Sequence, residues 1–395
     1  MTVFNETIDR RKSGDIKWCP EVVSQNIKAR VDDNMLPLWV ADMDFKSAPP
    51  IMAALEERLA HGIFGYCHPT TSCLEAVSWW QGRRFGWRVD PEWVQITPTV
   101  VSAINIAIRA FTEPGDGVIV QQPVYRPFWD IVTGSGRRVV NNALVSDGAG
   151  YYTMDLEALR LQAADPRTKM LILCSPHNPV GRVWRPEELR ALADICLEND
   201  VLVVTDEIHS DLIYSGHTHY NLMALSPKYE DAFIYLSGPG KTFNIPGLTV
   251  AYAIIPNGDK RRAFRAEQRA MTLEIENTFG LAALTAAYSE AGEAWMLKLL
   301  RYLEGNVTAL EAFVEKELPG VTMKRPEGTY LCWLDFRQTG LNDRGIREKI
   351  MGEAGVIGNA GPWFGQGGEG FLRLNVGCTR QTLEEALWRI KGVLE

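Results

Sequence analysis

The sequence predicts an α/β protein built on a doubly wound, mostly parallel sheet with a smaller α+β region attached, and two observations carry that prediction. Five short apolar runs, at 117–121, 170–174, 201–205, 233–236 and 250–255, read as parallel strands buried on both faces, because polar residues do not alternate through them. Helical spacing separates some of these runs. Ile104, Ala107, Ile108 and Phe111 fall at i, i+3, i+4, i+7 before the first run, and Leu189, Leu192, Ala193 and Cys196 do the same between the second and third. Strands alternating with helices, joined by right-handed crossovers, place a ligand beyond the carboxyl ends of the strands.

Pro186 and the acidic pair Glu187-Glu188 mark the start of the second of those helices, where a proline fits the first turn and carboxylates complement the dipole. Beyond about residue 260 the pattern turns helical, with Leu299, Leu300, Leu303, Val307 and Leu310 at mixed three and four spacing. A strand-like segment at 329–336, a helix near 344–353, a glycine-rich turn, a strand at 371–376 and a final helix carrying Leu383, Leu387, Ile390 and Leu394 follow. The expected division is a large domain at 45–285 and a small one assembled from 1–44 and 286–395. No repeat or long linker interrupts them, so close packing is expected.

At 395 residues the chain is long enough for about two domains. Its net charge of −8, with 41 basic and 49 acidic residues and no dense basic run, argues against a nucleic-acid or anionic-membrane surface and for a small-molecule ligand. The seven cysteines have no Cys-x-x-Cys spacing and read as reduced thiols. The opening residues lack the features of a signal peptide, and no apolar run reaches the ~18 residues of a membrane span, so a cytoplasmic location is expected.

The chemistry gathers where strands end. The run at 170–174 leads into Ser175-Pro176-His177-Asn178-Pro179, that at 201–205 into Asp206-Glu207-Ile208-His209, and that at 233–236 into Ser237-Gly238-Pro239-Gly240-Lys241-Thr242. Thr99-Val100-Val101 opens a helix, whose amides make an anion site. An anion cradle, a carboxylate, an amide and a lysine on one rim fit pyridoxal phosphate, which needs a Schiff-base lysine and a carboxylate facing its ring nitrogen. Gly240-Lys241-Thr242 is not a Walker loop, since position 235 is Tyr and Pro246-Gly247 forbids the helix that must follow. Gly365 to Gly370 satisfies G-x-G-x-x-G, yet a strand follows it, so it reads as a turn. His217 and His219 read as a surface pair rather than metal ligands.

With these motifs in this order, from Leu38-Trp39-Val40-Ala41-Asp42-Met43-Asp44-Phe45 to Phe371-Leu372-Arg373-Leu374-Asn375, the chain resembles a fold-type I pyridoxal-phosphate enzyme of the class I/II aminotransferase superfamily. Within it, Trp39 to Phe45, Gly65-Tyr66, Asp206 to His209 and Lys241-Thr242-Phe243-Asn244 resemble the cystathionine β-lyase-like carbon–sulfur lyases of the MalY/PatB type. The resemblance implies a pyridoxal-phosphate-dependent transferase-like fold and α,β-elimination on cystathionine-like amino acids. An aminotransferase is the alternative, and a regulatory binding protein on the same fold is another.

By the same resemblance, Lys241 forms the Schiff base and moves the Cα proton, Asp206 pairs with the ring nitrogen, and Asn178 bonds the phenolic oxygen. Tyr125 stacks on the ring, the amides of Val100 and Val101 hold the phosphate, and Ser237 and the glycine amides assist. His209 stands where aminotransferases place a tyrosine, and Arg373, with Trp39 beside it, receives the substrate carboxylate. Tyr66 reaches the partner's phosphate in a homodimer with shared sites. Two departures stand out: Gly238 and Gly240 replace serines, and Thr249 replaces the phosphate-binding arginine of many relatives. Taken singly, Asp206 also reads as a helix cap, Tyr125 as core, Asn178 as a turn residue, Arg373 as half of a buried salt bridge and Tyr66 as a loop aromatic.

Overall fold

A computed structural model describes residues 3–27 and 33–395. Its centre is a seven-stranded sheet of β1 (Val94–Thr97), β2 (Gly117–Val120), β3 (Arg138–Asn141), β4 (Thr168–Cys174), β5 (Leu202–Asp206), β6 (Ile234–Ser237) and β7 (Ala251–Ile254), in the order β1-β7-β6-β5-β4-β2-β3. All the pairs from β6 through β3 are parallel. The run at 250–255, expected to be parallel, is antiparallel to both β6 and β1. The reason is the connection: residues 238–250 contain only the 3₁₀ turn Pro246–Leu248, and a parallel return needs a crossover of a dozen or more residues, usually helical. β1 and β3 were not evident as strands. β1 spans only four residues, and β3 lies at the sheet edge and begins on an exposed Arg138.

Both faces of the sheet are covered, which is why its strands lack alternation. Met170, Ile172, Val204, Ile234, Leu236 and Ala253 point to a layer containing helix α1 (Val100–Phe111), while Leu171, Leu173, Val203, Tyr235 and Tyr252 point to one containing Trp80, Leu192 and Cys196. Burying each aliphatic side chain stabilises the fold by roughly 1.5–3 kcal/mol. Val204→Asp would place an unpaired carboxylate in that layer and break the sheet's central strand.

A second, four-stranded sheet follows: β8 (Thr322–Met323), β9 (Leu331–Asp335), β10 (Asn359–Ala360) and β11 (Phe371–Asn375), antiparallel in the order β8-β9-β11-β10. Leu299, Leu303, Val307 and Leu310 are buried on α2 (Glu290–Glu317), as are Leu383, Leu387 and Ile390 on α3 (Arg380–Leu394). The helix expected near 344–353 is one α turn, Asp343–Ile346, continued by a π-helical stretch, Arg347–Glu353. Leu36–Pro37 pairs in parallel with Val356–Ile357, so an early segment of the chain packs beside this late one. Among the described residues no helix is long and apolar enough to cross a membrane.

Candidate functional site

Parallel register sets the rim. Cys174 pairs with Asp206 and Asp206 with Leu236, so the carboxylate projects from the last position of β5 between the ends of its neighbours. Asp206 is buried, and its Oδ1 accepts from the Ile208 amide at 3.1 Å. Burial pushes its carboxyl up to about 7, against the pull of that amide and of the Lys241 ammonium. Lys241 lies in the turn after β6 with its Nζ 2.7 Å from the Ala41 carbonyl. Burial lowers its pKa to about 8; Asp42 and Asp206 oppose that shift and Arg373 adds to it.

Arg373 enters from the second sheet, in β11 opposite Trp333 on one side and Asn359 on the other. It is buried, and burial lowers its pKa to about 10. Its Nη1 donates to Asn178 Oδ1 at 2.9 Å, and its Nη2 to the Trp39 carbonyl at 2.7 Å and Asn359 Oδ1 at 2.6 Å. These partners are all neutral oxygens, so the guanidinium is not half of a salt bridge, and its Nε–H has no partner. Phe364 lies under the guanidinium, 5.0 Å from it.

Tyr125 lies 5.8 Å from Trp363, and its phenol is raised by burial and by the Asp206 carboxylate. His209 is buried with Nδ1 unpartnered, its ring 5.9 Å from that of Tyr330. Burial, with Lys241 and Arg373 nearby, lowers its pKa to about 3, so it is neutral at physiological pH. At the opposite end, Thr99 caps α1 through a reciprocal bond with Ser102, and the amides of Val100 and Val101 open the helix. Thr249 has φ of +44°, strained for a β-branched residue, and with Asn277, Thr97 and Pro98 it lines a small cavity.

Asp206, Lys241, Asn178, Arg373, Tyr125 and His209 therefore converge. Ser237 does not: it is on the Tyr235 face of β6, and its hydroxyl donates to the Glu207 carbonyl at 3.1 Å. The Trp39 indole turns away to the Lys17 carbonyl, 3.1 Å from its Nε1, so only its backbone meets Arg373. Tyr66 is 93% exposed. His219, expected at the surface, is buried against Glu207 at 2.6 Å. Sequence reasoning missed Tyr330, whose hydroxyl shares the Ala41 carbonyl with Lys241 at 3.0 Å, and Asn359. Neither stands in a motif, and only the pairing of β10 with β11 brings Asn359 to Arg373.

The family model for aminotransferase class I and II matches residues 33–390. The chain belongs to that family. It is 46% identical over 360 residues, 91% of its length and 92% of the relative's, to cystathionine beta-lyase PatB of Bacillus subtilis. Among solved structures, cystalysin from Treponema denticola, whose crystal structure contains a pyridoxal 5'-phosphate cofactor, superposes with a TM-score of 0.94 at 35% identity, covering 99% of this chain and 98% of that one. The PLP-bound C-S lyase from Staphylococcus hominis superposes with a TM-score of 0.90 at 31% identity, covering 99% and 97%.

Proposed function

We propose that this family member is a pyridoxal-phosphate-dependent carbon–sulfur β-lyase, acting on cystathionine-like amino acids to give a thiol, pyruvate and ammonia. The observation that carries the reading is two buried groups on one rim, neither in salt-bridge contact with an opposite charge among the described residues: a carboxyl, Asp206, and a guanidinium, Arg373, whose hydrogen-bond partners are all neutral. A buried charge without a counter-charge is costly. A protonated ring nitrogen beside Asp206 and a substrate carboxylate at Arg373 would each remove that cost, so the residues fit pyridoxal phosphate and an amino acid.

In that arrangement Lys241 would bond the cofactor, Asp206 would face its ring nitrogen, Asn178 its phenolic oxygen, and the Val100 and Val101 amides its phosphate. When bound, the group supplies an electron sink for the carbanion formed at the substrate Cα. Lys241 Nζ takes the Cα proton, and a pKa near 8 leaves an appreciable neutral fraction at physiological pH. Arg373 grips the substrate carboxylate through charge-assisted bonds and turns the Cα–H toward Lys241. The aromatic wall of Tyr125, Trp363 and Phe364 excludes water. With sulfur on Cβ, loss of the Cα proton is followed by departure of the thiolate.

The reading includes a homodimer in which Tyr66 completes the neighbouring phosphate site. Its support is the exposed run Ile63, Phe64 and Tyr66, at 67%, 53% and 93%, close to the helix Thr278–Ala287 through the Phe64–Phe279 ring contact at 5.5 Å. The deciding experiment is incubation of the cofactor-loaded protein with L-cystathionine. Pyruvate and free thiol are expected in equal amounts. Amino-group transfer to a 2-oxo acid without thiol would replace the lyase with an aminotransferase, and neither product would favour a purely binding role.

A further inference from the structure

The segment 39–45 crosses between the two sheets, and its carbonyls hold the site. Trp39 O accepts from Arg373 at 2.7 Å, Ala41 O from Lys241 at 2.7 Å and Tyr330 at 3.0 Å, and Val40 O and Asp42 O from Asn375 Nδ2 at 2.6 Å each. Asn244 clasps the far part, accepting from the Met43 amide at 2.8 Å and donating to the Met43 and Phe45 carbonyls at 2.7 and 2.8 Å. Gly377 lies so close that a Cβ there would meet Met43 Cγ at 2.6 Å. Position along this strap thus fixes where Arg373 and Lys241 point.

A set of charges from residues 10–18 meets the strap's carboxylates. Arg10 holds Asp42 through two bonds, 2.9 and 3.0 Å, and reaches Asp44 at 2.7 Å and the Met43 carbonyl at 3.2 Å. Lys17, its side chain fully buried, reaches Asp44 at 3.0 Å, Asp42 Oδ1 at 3.4 Å and the Asp42 carbonyl at 3.3 Å. Trp18 Nε1 adds a bond to Asp44 at 3.2 Å, and Asp15 steadies Arg10 at 2.8 Å. Stability alone does not explain such a cluster, since buried ion pairs are often no better than apolar residues of similar volume, whereas their directional bonds fix register.

We propose that Arg10 and Lys17 are positioning residues: by clamping Asp42 and Asp44 they hold the strap in the register at which its carbonyls aim Arg373 at the substrate carboxylate and steady Lys241. The proposal rests on the functional reading given above. The clamp touches no reacting atom; it acts on how well Arg373 is presented to the substrate carboxylate, a binding interaction whose loss is read mainly in KM. The charged and titratable groups around Lys241 are Asp42, Asp206, Arg373, Tyr330 and His209, so the clamp also keeps one of the two carboxylates among them in place.

The test compares the wild-type holoenzyme with Arg10→Met, Arg10→Lys and Lys17→Met by steady-state kinetics on L-cystathionine and by hydrogen exchange of the peptide covering 38–45. In Arg10→Met and Lys17→Met the KM is expected to rise about tenfold or more with kcat falling less than about threefold. Exchange across 38–45 should accelerate while 202–206 and 371–375 stay as in wild type, and Arg10→Lys should recover part of both changes. KM within about twofold of wild type together with unchanged exchange in both methionine variants would overturn the proposal. If they do not fold, Asp15→Asn carries the test, because it takes the charge from the outer partner of Arg10, which Ser13 also bonds, and leaves Asp42 and Asp44 in place; an unchanged KM and exchange there also overturn it, and a roughly two- to fivefold rise in KM supports it. A wild-type protein that turns over no cystathionine would sink the lyase reading alone, since the exchange comparison needs no substrate.

Discussion

On the proposed reading Arg373 and the first turn of the 100–111 helix serve opposite ends of one site, and they are built by different means. At the Arg373 end a single chain supplies everything: a buried guanidinium, its Asn178 and Asn359 partners, and the strap carbonyl of Trp39. The proposed phosphate end has the backbone amides of the helix start and Thr249 in a strained conformation, with no cation at position 249. On the reading proposed above, substrate orientation is preorganised within the protomer, whereas phosphate retention would rest on weaker, distributed donors and on Tyr66 of a second copy.

The sharpest way to break that contrast is at its rigid end. Arg373→Met should lower kcat/KM for cystathionine by roughly 10²–10³-fold, through loss of a charge-assisted pair and the stranding of Asn178 and Asn359, while the visible cofactor absorbance persists. Steady-state kinetics beside an absorption spectrum would check both halves. Between the ends sits Asp206, whose carboxyl is pushed up to about 7 from an ordinary 3.8. Within that window the folded, cofactor-free protein binds a proton that the unfolded chain does not, so its stability falls as pH rises through it. Asp206→Asn should therefore melt later than wild type above pH 7, by a difference of up to a few kcal/mol, and the gap should close below about pH 4. Melts of the cofactor-free proteins across this range measure it. At the distributed end the effect is smaller: Tyr66→Phe should weaken cofactor binding about tenfold with little change in KM for the amino acid, as expected for one lost hydrogen bond to a charged group. Equilibrium dialysis against pyridoxal phosphate would show it, and an unchanged affinity would remove Tyr66 from the phosphate site.

How much of this was legible in the residues follows the same divide. Strands with both faces buried announce themselves as apolar runs, and the rim residues Asp206, Asn178 and Lys241 could be found because each follows such a run. The antiparallel direction of 251–254 was hidden, because an apolar run does not state its direction; only the missing crossover helix does. Ser237 could not be assigned a face from sequence, since one residue along a strand reverses it, and the structure turns its hydroxyl to the Glu207 carbonyl. Tyr330 and the carbonyls of the strap were illegible, because a backbone acceptor carries no residue signature and the contact joins positions 289 apart.

The hairpin joining 234–237 to 251–254 has one further consequence. Every parallel strand leaves the rim through a connection that can drift in length, as surface loops do. This connection starts and ends at the rim, carrying Lys241 near its entry and Thr249 near its exit. The proposed covalent anchor and the residue proposed beside the phosphate are thus spaced by one short tether, so an insertion or deletion between them would change their separation.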